Sequence, residues 1–133
     1  MRLLRYIFLL LAVFAAFGAG DFAGTYTGDW KSDGSGNGGA IRFTLTPAAG
    51  GPWKSDLTFG LDGADVKTIM REVKVEDDKI ELVYDFDVQG TTLRSHIKGQ
   101  WSGTAFKGSY QTTTPSGSTA VDSGSWNAAR GKQ

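Results

Sequence analysis

Cysteine is absent from the 133 residues, histidine occurs once and proline three times, and neither sign of charge is in excess, with 14 Lys+Arg against 14 Asp+Glu. Without cysteine there are no disulfides, no thiolate zinc site, no thiol nucleophile and no Cys for lipid attachment near the N-terminus. One histidine, His96, excludes multi-histidine metal centres and leaves little acid-base chemistry near neutral pH. A net charge of zero without blocks of like sign removes the electrostatic footprint of a nucleic-acid binder. Long apolar runs are missing beyond the N-terminus, and the length supports one domain.

The apolar run that does exist has the form of an export signal. Arg2 and Arg5 precede an apolar stretch from Tyr6 to Phe17, and the small residues Gly18, Ala19 and Gly20 follow. The stretch is shorter than the roughly 20 apolar residues a spanning helix needs. Residues 1–20 are therefore expected to be a signal peptide, cut after Gly18 or Gly20, and residues 21–133 the mature domain, secreted or periplasmic and without membrane contact after cleavage. Removing the two arginines leaves 12 Lys+Arg against 14 Asp+Glu, so the mature chain is mildly acidic.

From Phe22 onward the apolar period is two, broken about every ten residues by Gly, Asp, Asn, Pro or Ser. Eight strands are predicted, over residues 22–31, 40–46, 53–61, 66–76, 79–88, 92–101, 104–113 and 119–129. The fifth is the plainest, with Ile80, Leu82, Tyr84, Phe86 and Val88 alternating against Lys79, Glu81, Asp85 and Asp87. A two-residue turn at Asp77-Asp78 pairs Val75 with Ile80, Val73 with Leu82 and Ile69 with Phe86, and puts Arg71 inward beside Tyr84. A turn at Gly90-Thr91 pairs Val88 with Leu93 and sets Asp85 opposite His96. Both hairpins agree on the inner face, which predicts an antiparallel meander. Eight short strands avoid exposed edges by closing into an up-and-down barrel. Inward glycines at Gly24, Gly28, Gly99, Gly108 and Gly124 permit the bends that closure needs.

Gly28-Asp29-Trp30 on the first strand is a G-x-W, and Arg130 follows the last strand. This pairing resembles the structural signature of the calycin superfamily, which includes lipocalins, fatty-acid-binding proteins and avidins. The resemblance implies an eight-stranded barrel in which Arg130 packs over Trp30, with Gly28 completing the motif. The repeated pieces Gly24-Thr25-Tyr26, Gly99-Gln100-Trp101, Gly108-Ser109-Tyr110 and Gly124-Ser125-Trp126 also look like those of small lipocalin-like domains of bacterial secreted proteins. The mature chain is shorter than typical lipocalins, their other motifs are absent, and no avidin-like set of biotin ligands is found.

Such a barrel has two uses. Its lumen could hold a small apolar ligand lined by Trp53, Leu57, Phe59, Ile69, Tyr84, Phe86 and Tyr110, with Arg71 as the polar handle for a carboxylate. Alternatively Arg71 reaches water at a rim, the aromatics are simply core, and the loops at 33–39 and 112–119 contact a secreted protein partner in an inhibitor-like or structural role. No catalytic residue, cofactor or metal is called for. The series Asp33-Gly34-Ser35-Gly36-Asn37-Gly38 matches half a calcium loop, but its twelfth position is Thr44 rather than Glu. Asp85 and His96 are expected as outer-wall charges rather than a catalytic dyad.

Overall fold

The structure is a computed structural model that describes residues 22–131, so the expected signal segment lies outside the described residues. Nine strands form one antiparallel sheet: β1 (Gly24–Ser32), β2 (Gly38–Leu45), β3 (Leu57–Leu61), β4 (Ala64–Lys67), β5 (Ile69–Glu76), β6 (Lys79–Val88), β7 (Thr91–Trp101), β8 (Ala105–Thr113) and β9 (Ala120–Arg130). No helix occurs among the described residues. Their order is β4-β3-β2-β1-β9-β8-β7-β6-β5, a meander in which the first strand pairs with the last. Trp30 lies opposite Trp126 and Tyr26 opposite Arg130. The edge strands β4 and β5 are separated in sequence by Thr68 alone, so the sheet must curl strongly to bring its two edges to one point. It is a half-barrel in its hydrogen bonding, all-β and antiparallel as its sequence pattern requires.

The count of nine arises because the segment expected as a fourth strand, 66–76, breaks at Thr68. Its hydroxyl donates to the Leu57 carbonyl at 2.7 Å, and the chain leaves β3 to join β6. A bulge between Met70 and Glu72 then reverses the side-chain alternation. Val73 and Val75 face Leu82 and Ile80 as expected, but before the bulge Met70 rather than Arg71 lies opposite Tyr84. The next hairpin turns at Gln89-Gly90, both with positive φ (51° and 82°), one residue earlier than expected. Phe86 therefore meets Leu93, and Leu82 meets Ile97. The partners move by two residues, which preserves the inner face.

The two ends of the curl differ. One is plugged by Phe22, Tyr26, Phe43, Trp101 and Phe106, with Tyr26 and Phe43 stacked at 5.1 Å and Phe22 against Phe106 at 5.3 Å. Phe43 and Phe106 are completely buried, each ring contributing roughly 1.5–3 kcal/mol. Above the plug lies Trp126. Its indole edge rests on Gly99, where a Cβ would fall 2.5 Å from Cζ2, and its Nε1 donates to the Lys98 and Ser109 carbonyls, each at 3.1 Å. Gly108 stands between them in the sheet, opposite both Gly99 and Trp126. A side chain there would overlap the Lys98 carbonyl oxygen, so the backbone can bend this sharply only with glycine at 108.

That bend gives a direct expectation. Gly108→Ala should destabilise the protein by about 3 kcal/mol or more, because the obstacle is backbone rather than a movable side chain. Gly34→Ala, at a loop position with nothing within 4 Å of the added Cβ, should stay within about 0.5 kcal/mol of the parent. Urea unfolding followed by circular dichroism separates the two, and equal small effects would contradict the bend.

Candidate functional site

Above Trp126 the lumen is not filled. A half-open cavity of about 190 Å³ lies between the Trp126 floor and the hairpin loops that follow β1, β3, β6 and β8. Ile41, Phe59, Phe86 and Ile97 supply apolar walls, and Leu61, Val88, Leu93 and Val121 form the rim. A dry apolar cavity on the order of 150 Å³ suffices for benzene, so this one suits a ligand of roughly ten non-hydrogen atoms.

The cavity carries two polar features. In its wall, the Ser95 and Thr112 hydroxyls are 2.6 Å apart and both residues are buried. Burial pushes the neighbouring Tyr84 phenol far above its usual value, opposed by its hydrogen bond with Ser95, so it stays protonated. At the mouth, Asp122 accepts from the Ser32 hydroxyl at 2.6 Å and from the Tyr110 hydroxyl at 2.8 Å. Burial first, then the Asp122 carboxylate, holds the Tyr110 phenol protonated and donating. The Trp30 ring meets Tyr110 edge to face at 5.9 Å while its Nε1 donates to the Gly60 carbonyl at 2.9 Å.

Of the expected lumen residues, Phe59, Tyr84, Phe86 and Tyr110 line this cavity. Leu57 is buried core but not part of the lining. Trp53 belongs to a mixed-polarity surface groove beside β5, with Lys54, Asp56 and Glu72. Ile69 and Arg71 are corrections. The bulge turns both outward, leaving Ile69 61% exposed and opposite Asp85 rather than Phe86. Arg71 is no lumen handle; it bonds Asp85 on the outer wall with its side chain half exposed to water. Asp122 is a cavity residue outside the expected set, although it shares the alternation of Gly124 and Trp126 on β9 and therefore faces inward. Its polarity masked the parity.

The expected stacking of Arg130 on Trp30 is also corrected. Arg130 pairs across from Tyr26, two repeats of side-chain alternation from Trp30, and its guanidinium lies over Tyr26 at 5.6 Å and Trp101 at 5.3 Å. Its Nε donates to the Tyr26 hydroxyl at 3.2 Å, which in turn donates to the Phe22 carbonyl at 2.7 Å. Arg130 thus caps the plugged end, and its aromatic partner on β1 is that of Gly24-Thr25-Tyr26 rather than of Gly28-Asp29-Trp30. Gly28 lies against the β9 backbone, where a Cβ would overlap the Asn127 carbonyl oxygen.

Two further expectations can be placed. Asp85 does not neighbour His96; the shifted register sets it opposite Arg94, and His96 reaches Glu81 at 3.3 Å. The Asp33–Asn37 loop is tied by its own groups, with Ser32 N–H to the Asn37 carbonyl at 2.8 Å and Asn37 N–H to Ser35 Oγ at 3.1 Å. Among the described residues no group of three or more His, Asp or Glu is arranged to hold a metal.

Asp85 is buried beneath Arg94 (Nε 2.7 Å, Nη2 3.1 Å) and Arg71 (Nε 2.8 Å). The hydrogen bond from Arg94 is the largest influence on its carboxyl, which is held below the ordinary carboxylate value. Its stabilising effect is therefore complete above about pH 4 and disappears as pH falls through the depressed folded-state value. Asp85→Asn should cost about 1–3 kcal/mol at pH 7, reduced from a fully buried pair because water reaches both arginines. Urea midpoints of parent and variant should converge as pH drops below about 4, and a constant gap from pH 7 to pH 2 would contradict the pairing. Compared with family models, with curated proteins and with solved structures, the chain matches none.

Proposed function

We propose that the protein is an exported, calycin-like barrel that binds one small apolar molecule in the upper lumen, and that it acts as a binder rather than an enzyme. The observation that carries this reading is the half-open cavity above Trp126, apolar in most of its lining yet furnished with a few hydroxyls and one carboxylate. Small-molecule sites generally have this composition. Export rests on the Arg2-Arg5, apolar, small-residue order of residues 1–20. The calycin-like reading rests on the meander that pairs its first and last strands and on an arginine capping one end over aromatic rings. Among the described residues the exposed large hydrophobics, Ile69 and Val121, lie four strands apart and make no outer apolar patch of the kind a protein-docking wall would offer.

Two tryptophans, Trp30 and Trp126, border the cavity and provide the readout. Titration with 2-phenylethanol, a neutral ligand of fitting size, should change tryptophan fluorescence saturably, with a Kd of about 1 mM or tighter. Leu93→Trp, which places a large ring at the rim, should weaken binding about tenfold or more without lowering the melting temperature by more than a few degrees. Linear, non-saturating fluorescence with the parent protein would count against a lumen site.

A further inference from the structure

The mouth is predominantly acidic. The hairpin segments around it, residues 32–39, 61–66, 86–93 and 111–123, carry Asp33, Asp62, Asp65, Asp87 and Asp122, and the basic residues that directly flank them are Lys31, Lys67 and Arg94, the last of these paired with Asp85. At the plugged end the hairpin around Asp77 mixes Lys74, Lys79, Glu76 and Asp78, and Arg130 caps the aromatic rings. Only one of the five mouth carboxylates lines the cavity itself, and that is Asp122; the lining contains no basic residue.

We infer that the lumen selects a protonated amine with a compact apolar body, its ammonium group bound at the Asp122 carboxylate and its apolar portion between Phe86, Leu93 and Ile97. This deepens the lumen-binding reading and rests on it. Asp122 is partly exposed at the half-open mouth, and no basic side chain of the cavity lining answers its charge. The answers present are two neutral hydroxyls, Ser32 on Oδ1 and Tyr110 on Oδ2, and no ion pair to Asp122 occurs among the described residues. Two ionised carboxylate oxygens offer about four acceptor sites, so two remain for a ligand N–H. Those hydroxyls also fix the carboxylate's orientation in advance, which lowers the ordering cost on binding. The Trp30 and Tyr110 rings wall the same side and favour a cation over an anion. The other mouth aspartates add a field that draws cations toward the opening and repels fatty-acid-like anions.

Three ligands of nearly the same shape test the inference: 2-phenylethylamine, 2-phenylethanol and phenylacetate, titrated by calorimetry into the parent protein at pH 7 and low salt. The amine should bind about tenfold or more tightly than the alcohol, and the carboxylate most weakly. Asp122→Asn should collapse the amine-to-alcohol ratio to about one. Because Ser32 and Tyr110 lose part of their acceptor in that variant, Val121→Lys at the exposed rim provides a second arm and should reduce the same ratio several-fold. Equal affinity for amine and alcohol would overturn amine selection while leaving a lumen binder. Preference for phenylacetate would overturn it as well, and no saturable binding of any of the three would overturn the lumen reading together with it.

Discussion

The placement of Trp126 across Gly108 and Gly99 is the constraint on which the rest of the molecule depends. A sheet of short strands can bring its edges together only where neighbouring backbones approach more closely than side chains allow, and the two glycines provide that approach. The indole fills the space they leave and ties itself to two carbonyls at 3.1 Å. It also meets Phe43 edge to face at 5.7 Å, which joins it to the aromatic plug beneath. Trp126 therefore serves as a partition: below it the interior is solid, and above it remains a space that hydrophobic side chains line but do not occupy. In a chain with no disulfide, this aromatic column takes over the role of a covalent staple.

From that partition follows a division of charge. On the outer wall, Asp85 is held between Arg94 and Arg71, and Glu81 lies beside His96 and Lys98. These contacts fix the alignment of β5, β6 and β7, and Asp85 explains why the bulge at Arg71 is accommodated. It lets the guanidinium reach the carboxylate on the outside instead of entering an apolar interior. At the mouth, Asp122 faces into the cavity and takes part in no ion pair among the described residues. Structure and proposed chemistry meet at Asp122, where hydroxyls from β1 and β8 orient a carboxylate carried by β9.

The strength of the period-two pattern made the fold class legible. Strand identity, the inner face of β6 and β7, and the Asp77-Asp78 turn all follow from alternation, and so do Phe59, Tyr84, Phe86 and Tyr110 as lumen residues. Less legible were features that break alternation. A bulge leaves no mark on composition, so unbroken alternation puts Arg71 and Ile69 on the wrong face. Gln89 adopts positive φ without being glycine, so turn chemistry alone points one residue late, to Gly90-Thr91. The Asp62-Gly63 pair, with φ of 53° and 81°, is a recognisable two-residue hairpin signal that divides β3 from β4 and would have raised the strand count. The Arg130 contact depends on which rung of β1 lies opposite it, and a G-x-aromatic motif occurring at both 24–26 and 28–30 does not say which. Asp122 was open to view by parity alone, since residues 122, 124 and 126 share a face, but a charged residue on an inner face goes against the rule that identifies inner faces.

The central claim is that Trp126 separates a filled lower core from an open upper lumen. Methyl-resolved NMR during titration with 2-phenylethylamine tests it most directly. The account predicts perturbed resonances for Val88, Leu93 and Ile97 above the indole, with Leu45, Leu57 and Ile80 left unmoved. Perturbations spread equally over both groups, or confined to the lower one, would contradict the partition.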